Sequence, residues 1–174
     1  MTQNKDFFMS RVNKPLLLIF IICAAVIAYA YYSQYYLGAM PCPLCIVQRL
    51  VIIAIGLLAL IFGIFGVSGI LNKIVSIIIA CIAIFGISIA KRHLHLMNLP
   101  PDQQPLSCGM PLEVQFERLP FSKFVHYVLQ GDAECGKVNW LVFGMKGPTA
   151  MIVLCGLILV ILIYNMFKKT ETTI

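Results

Sequence analysis

Four long stretches of this chain carry no charged residue: between Lys14 and Arg49, between Arg49 and Lys73, between Lys73 and Lys91, and between Lys146 and Lys168. Each gap accommodates a helix of roughly 17–25 residues, the length that crosses a bilayer. The pattern predicts spans near 15–35, 46–68, 74–95 and 147–167, with Lys91 and Arg92 snorkelling at the end of the third. Residues 67–73 read as a tight turn, which makes the second and third spans antiparallel neighbours. Between about 96 and 146 the polar positions return. The first part, from Leu99-Pro100-Pro101 through Pro105 and Pro111, is too proline-rich for helix. The second places Phe121, Phe124, Val125, Val128 and Leu129 at i, i+3, i+4, i+7 and i+8, an amphipathic helix stopped by Gly131. So short a helix, with no core of its own, is expected to lie on the membrane surface.

The pattern thus predicts an all-α membrane protein, a four-transmembrane-helix bundle forming one domain over 1–174. Its first external loop, near 36–45, is short; its second, near 96–146, is long and carries the interfacial helix. Composition agrees: 60% of the residues are apolar and 11% charged, more apolar surface than a soluble domain of 174 residues can hide. The first apolar run is too long for a signal peptide, and no small-residue cleavage site precedes Cys42. Tyr31, Tyr32, Tyr35 and Tyr36 close it with an interfacial aromatic belt. Gly56, Gly63 and Gly66 in the second span are read as close-packing positions.

The net charge of +6 does not indicate nucleic acid, because cations beside spans serve topology and anionic lipid. Charge alone leaves orientation balanced. With both termini cytoplasmic, Lys5, Arg11, Lys14, Lys73, Lys168 and Lys169 lie inside, and Lys91, Arg92, Arg118, Lys123, Lys137 and Lys146 outside. Cations precede the first span and none follows it in the short loop, and long loops cross largely regardless of charge, so the termini are placed inside.

Seven cysteines divide by position. Cys23, Cys81 and Cys155 fall inside apolar spans, where a thiol acts as a small hydrophobe. Cys42, Cys45, Cys108 and Cys135 all fall on one face of the membrane in the four-span arrangement. Zinc is one reading of four such cysteines, but structural zinc draws on close pairs, and Cys108 and Cys135 are 27 positions apart. No metal is therefore expected. Two structural disulfides are another reading, weakened because a C-x-x-C loop is too short to constrain an unfolded chain much. Redox chemistry is the commoner meaning of Cys42-Pro43-Leu44-Cys45. Pro41 and Pro43 favour a helix start, which puts Cys45 in the first turn of the second span, over free N–H groups that stabilise an anion. On a helix, positions 42, 45 and 49 fall within about 60° of arc, so Arg49 shares the face of the sulfurs. Arg49 either snorkels to headgroups or serves the dithiol, and a charge at the membrane edge favours function.

Pro41-Cys42-Pro43-Leu44-Cys45-Ile46-Val47-Gln48-Arg49 resembles the signature of the DsbB family, disulfide bond formation proteins of the bacterial inner membrane. Similar family features are Arg92-His93, Leu99-Pro100-Pro101-Asp102 before Cys108, and Gly131-Asp132-Ala133-Glu134-Cys135 with Trp140 five residues on. The resemblance implies a membrane oxidoreductase, probed by no single motif but by nearly the whole chain, that reoxidises a periplasmic thioredoxin-fold oxidase of the DsbA type. Its electrons would pass to a quinone, ubiquinone or menaquinone. By the same resemblance Cys108 is attacked by the reduced partner, Cys135 is its redox mate, Cys42 exchanges with Cys135, and Cys45 faces the quinone beside Arg49. His93 is implied near the quinone, although an interfacial histidine is as often a polar anchor. A monomer is expected. The chain departs from the family at Gly147, often Met, and Met97, often Gln. Three alternatives remain. A vitamin K epoxide reductase-like enzyme carries its C-x-x-C in the last span rather than opening the second. A small proton-coupled exporter needs an intramembrane carboxylate, and no predicted span has Asp or Glu. A DsbB paralogue with a dedicated partner would share the chemistry.

Overall fold

A computed structural model describes residues 13–38, 41–66, 69–100, 120–131, 135, 141–142 and 144–168. Cys108, the proline-rich stretch beyond Pro100, and Trp140 lie outside the described residues. The elements are α1 (Lys14–Tyr36), α2 (Pro43–Ile64), α3 (Gly69–Asn98), α4 (Phe121–Gln130), the two-residue strands β1 (Leu141–Val142) and β2 (Met145–Lys146), and α5 (Gly147–Lys168). The strands pair antiparallel, Leu141 with Lys146 and Val142 with Met145, around Gly144 at φ 79°. Four helices, α1, α2, α3 and α5, are long and apolar enough to cross a membrane. The fold is the all-α, four-span architecture read from the sequence.

Three boundaries differ from expectation, each for a local reason. α2 starts at Pro43, not near 46, because proline at the first helical position has no N–H to lose and its φ is already helical. Cys42 becomes the N-cap: its carbonyl accepts from the Ile46 N–H at 3.2 Å, and its Sγ accepts the Cys45 N–H at 3.4 Å. α2 ends at Ile64, and Gly66 (φ 59°) and Gly69 (φ 61°) make the turn that sequence placed over 67–73; α3 already runs from Gly69. α3 also passes Lys91 and Arg92 and continues to Asn98. The buried stripe Ile89, His93 and Leu96 carries the helix onward, while both cations stay exposed. Leu99 precedes Pro100, which disfavours helix there.

The chain forms two compact units. One holds the helix segments up to Tyr29, Val51–Phe85 and from Leu154. Its core includes Leu16, Ile19, Ile55, Ile79, Ile158 and Leu162. Gly56 admits Cys23, whose Cβ lies 3.2 Å from where a glycine Cβ would stand, and Gly63 admits Leu17 at 3.1 Å. Gly66 serves the turn rather than packing. Asn72 Oδ1 accepts from Asn13 Nδ2 at 2.8 Å and from Asn165 Nδ2 at 3.4 Å, joining the starts of α1 and α3 to the end of α5. Cys23 and Cys155 are buried as expected; Cys81 is exposed on α3, so it belongs to the outer apolar surface with Ile77, Ile78 and Ile84.

The other unit holds Ala30–Leu50 and Gly86–Val153. Here Cys42, Leu44, Cys45, Ile89, Leu96 and Cys135 form one buried cluster, with Val47 and Leu129 packed against it. α4 forms where the periodicity placed it, and none of its side chains is fully buried; Phe121 is 74% exposed. Its last turn is held by Arg92, whose Nε donates to the Gln130 carbonyl at 3.0 Å, a cation on the open carbonyl end of a helix. Gly131 follows at φ 74°, and a Cβ there would lie 2.7 Å from Leu96 Cδ1 and 2.9 Å from Leu44 Cδ1.

Gly131→Ala should therefore lose about 2–3 kcal/mol of stability, strain at positive φ added to overpacking. Gly38→Ala, at φ 66° with nothing within 4 Å, should lose only about 1 kcal/mol. Thermal melts of the detergent-solubilised chain compare them; equal losses would mean that the Leu44–Leu96 wall yields freely.

Candidate functional site

The N-cap of α2 assembles the site. With Cys42 at the cap and Cys45 three residues on, both sulfurs turn to the same end of the helix, and Cys42 Sγ lies 3.1 Å from Cys45 Sγ. Both side chains are buried. α3 brings His93, which has no exposed surface. Its Nε2 lies 3.3 Å from the Cys135 carbonyl oxygen and 3.7 Å from Cys42 Sγ. Its Nδ1 lies 3.2 Å from Gln48 Nε2.

These partners assign the histidine tautomer. A carbonyl oxygen only accepts, so Nε2 carries the proton and donates to Cys135. Nδ1 is then the bare nitrogen and accepts from the Gln48 amide. The Nε2–H that holds Cys135 also flanks the Cys42 sulfur. Cys135 itself is buried, and its thiol is hydrogen-bonded to Cys42. That bond first, then the bond to Cys45 and burial, push the Cys42 thiol above its ordinary range.

Of the six residues picked from sequence, the structure gathers Cys42, Cys45, Cys135 and His93 into one cluster, and Cys108 lies outside the described residues. Arg49, near enough for its charge to act on Cys45, is anchored on α1. Its Nη1 donates to Gln34 Oε1, its Nη2 donates to the Ala30 carbonyl at 3.2 Å, and its guanidinium lies 5.3 Å from the centre of the Tyr31 ring. It is half-buried and tied to the last turns of α1. Helical arithmetic put Arg49 on the face of the sulfurs; what α2 alone does not show is that its guanidinium is fixed by the last turns of α1. Tyr31 stacks on Tyr35 and Tyr32 on Tyr36, with centroids 6.3 Å and 5.0 Å apart.

Sequence reasoning missed Gln48 and Gln34. Gln48 stood inside the motif, three positions after Cys45, and a polar residue in an apolar helix, on the same side as a dithiol, was a usable signal. Gln34 gave none beyond its place among tyrosines. Ser33, beside it, has a buried hydroxyl with no partner.

The arrangement can carry two kinds of ligand. Cys42, Cys45 and His93 present three donor atoms within 4.8 Å of one another, a set suited to a soft cation. Arg49 with Gln34 offers polar hydrogen at the end of otherwise apolar helices, a setting suited to a carbonyl-bearing apolar molecule.

The family model described as Disulfide bond formation protein DsbB matches residues 12–165. Among curated relatives, Disulfide bond formation protein B of Stutzerimonas stutzeri is 38% identical over 129 residues, covering 74% of this chain and 78% of the relative. The protein of that name from Methylococcus capsulatus is 36% identical over 139 residues, covering 80% and 84%. That from Marinobacter nauticus is 32% identical over 152 residues, covering 87% and 90%.

Gln48→Leu should leave a buried ring nitrogen without a partner and lower stability by about 1–3 kcal/mol. In the same variant, nitrogen NMR of His93 should lose the single Nε2–H signature. Retention of one tautomer would show that the Cys135 carbonyl suffices to set it.

Proposed function

The chain belongs to the DsbB family of disulfide bond formation proteins, and from that premise we propose that it reoxidises a periplasmic DsbA-like thioredoxin-fold oxidase and passes the electrons to a membrane quinone, ubiquinone or menaquinone. It is a multi-pass bacterial membrane protein with a disulfide oxidoreductase role. In the proposed arrangement the termini are cytoplasmic, the residues between α1 and α2 and between α3 and α5 face the periplasm, and α4 lies on the membrane surface with its exposed apolar face in lipid. The chain acts as a monomer.

The observation that supports the reading best is the meeting of the Cys42, Cys45 and Cys135 sulfurs at the head of an apolar helix. Electrons would enter at Cys108. A partner thiolate attacks Cys108 Sγ, the Cys108–Cys135 bond breaks, and Cys135 leaves as a thiolate. The Cys135 thiolate then attacks Cys42 Sγ of a Cys42–Cys45 disulfide. A Cys42–Cys135 bond forms, and the electron pair of the broken bond leaves on Cys45. The partner's second thiolate attacks the partner sulfur of the Cys108 mixed disulfide and releases Cys108 as a thiolate; that thiolate attacks Cys135 Sγ, which re-forms Cys108–Cys135 and releases Cys42, so that one dithiol is oxidised for each disulfide reduced.

Each residue has a part in this exchange that follows from its contacts. His93 holds the Cys135 backbone by Nε2–H and sets that same proton beside Cys42, so attacker and target stay together. These contacts support a part for His93 in the exchange between sulfurs. Cys45, third in α2, leaves over the open N–H groups of the helix start, which favour negative charge. A quinone, when bound, supplies an acceptor for two electrons and two protons. Arg49, positioned by Gln34, Ala30 and Tyr31, would orient its oxygen by hydrogen bonding.

Purified chain, quinone and a reduced thioredoxin-fold oxidase, with quinone reduction followed by absorbance, test this. Cys108→Ser and Cys135→Ser should each bring partner oxidation down to background; normal turnover by either would defeat the relay. Arg49→Ala should raise the quinone KM about tenfold, equivalent to about 1.4 kcal/mol, with partner KM unchanged. An unaltered quinone KM would remove Arg49 from that site.

A further inference from the structure

Cys42 Sγ, Cys45 Sγ and the ring nitrogen of His93 lie within 4.8 Å of one another, and all three residues are buried. We propose that the reduced site binds a thiophilic divalent d10 cation, with Zn2+ as its representative, through Cys42, Cys45 and His93, and that the bound ion locks the dithiol against reoxidation. This is a reversible inhibitory site, distinct from a four-cysteine structural centre.

The distances are close to what coordination needs. Thiolates at about 2.3 Å and an imidazole nitrogen at about 2.0 Å around a tetrahedral ion stand about 3.8 Å apart for S–S and about 3.6 Å for S–N. The site has 3.1 Å between the sulfurs and 3.7 Å between Cys42 Sγ and His93 Nε2. The nitrogen is already in place, and the sulfurs need to part by under an ångström, a small χ1 adjustment at the mobile end of each side chain.

Charge balance selects the ion. Two thiolates and a neutral imidazole cancel a divalent charge, so the loaded site is neutral in surroundings where a net charge is costly. A monovalent soft ion would leave one negative charge, as would a third thiolate from Cys135 on the divalent ion. The surrounding hydrogen bonds suit the loaded state. The Cys45 N–H points at Cys42 Sγ and would stabilise its thiolate. Gln48 is an amide, with a donor and an acceptor on one group. For Nε2 to bind metal its proton must move to Nδ1, which gives up the bond to the Cys135 carbonyl, and Gln48, turned about its last bond, would accept from Nδ1–H as it now donates to Nδ1.

Binding involves no electron transfer. Two S–H bonds break, two metal–sulfur bonds form, and two protons go to solvent. The Cys42–Cys45 disulfide has no thiolate to offer, so metal and disulfide exclude one another, and metal that prefers the dithiol makes its oxidation less favourable by the same linkage.

The inference rests on the C-x-x-C pair being reducible, not on the identity of the electron acceptor, and its test needs neither quinone nor partner. Full-length protein in detergent is reduced, desalted and titrated with Zn2+ against a chromophoric chelator. One equivalent should bind to the reduced chain. The disulfide form should bind at least 100-fold more weakly, His93→Ala at least tenfold more weakly, and Cys108→Ser with the affinity of the parent. Substituted Co2+ gives a second readout free of mutation: intense tetrahedral bands with thiolate charge transfer in the reduced protein, absent from the oxidised. A reduced chain that takes up no Zn2+, equal uptake by the disulfide form, unchanged affinity in His93→Ala, or loss of binding in Cys108→Ser would each overturn the proposal.

Discussion

An imidazole with no exposed surface, set where apolar helices end, is tolerated only when both ring nitrogens have partners. Each unpaired buried polar atom costs about 1–3 kcal/mol, and no water is at hand to relieve it. His93 meets the condition by reaching in two directions: Gln48 on α2 serves Nδ1, and the Cys135 carbonyl serves Nε2. The residue thereby fastens α3 to α2 and draws the segment at 135 onto the head of α2. The approach of Cys135 to Cys42 follows, while that of Cys42 to Cys45 is set by the helix start.

Much of the fold was legible in the sequence because charge is so costly in a span. Four uncharged stretches became four long apolar helices, and the short amphipathic run became α4. The ends were less legible. Lys91 and Arg92 read as a terminus, yet exposed cations are compatible with a helix continuing on its buried side, and Ile89, His93 and Leu96 supply that side. Conversely the turn after α2 is shorter than its polar residues suggested. Two glycines at positive φ reverse the chain quickly, and Asn72, which looks like a loop residue, is buried in an amide cluster and so belongs to the helix.

The site was legible as an inventory and less so as an arrangement. Spacing and position among the spans singled out Cys42, Cys45 and Cys135, and resemblance to a family added His93; the four do meet. Arg49 shows where periodicity stops. An angle around α2 says which way a side chain leaves that helix, and says nothing of the Gln34 amide, the Ala30 carbonyl and the Tyr31 ring that receive it. Gln48 shows the converse. Its importance comes from a partner 45 positions away, and only a folded chain displays it.

The two units bury polar groups in different ways, and the difference separates support from chemistry. Asn13, Asn72 and Asn165 form a cluster of neutral amides, one carbonyl oxygen taking two N–H donors. Amides neither titrate nor change oxidation state in this range, so the cluster can only hold α1, α3 and α5 together; it has one configuration. The cluster at the head of α2 is as deeply buried and also largely satisfied, but its members can exchange what they hold. Three thiols can pair in more than one way, and an imidazole can carry its proton on either nitrogen with an amide that suits both. Equal burial with several near-equivalent bonding patterns is the physical requirement for passing a disulfide along a chain. Among the described residues, only the cluster built on Cys42, Cys45, His93 and Cys135 meets it.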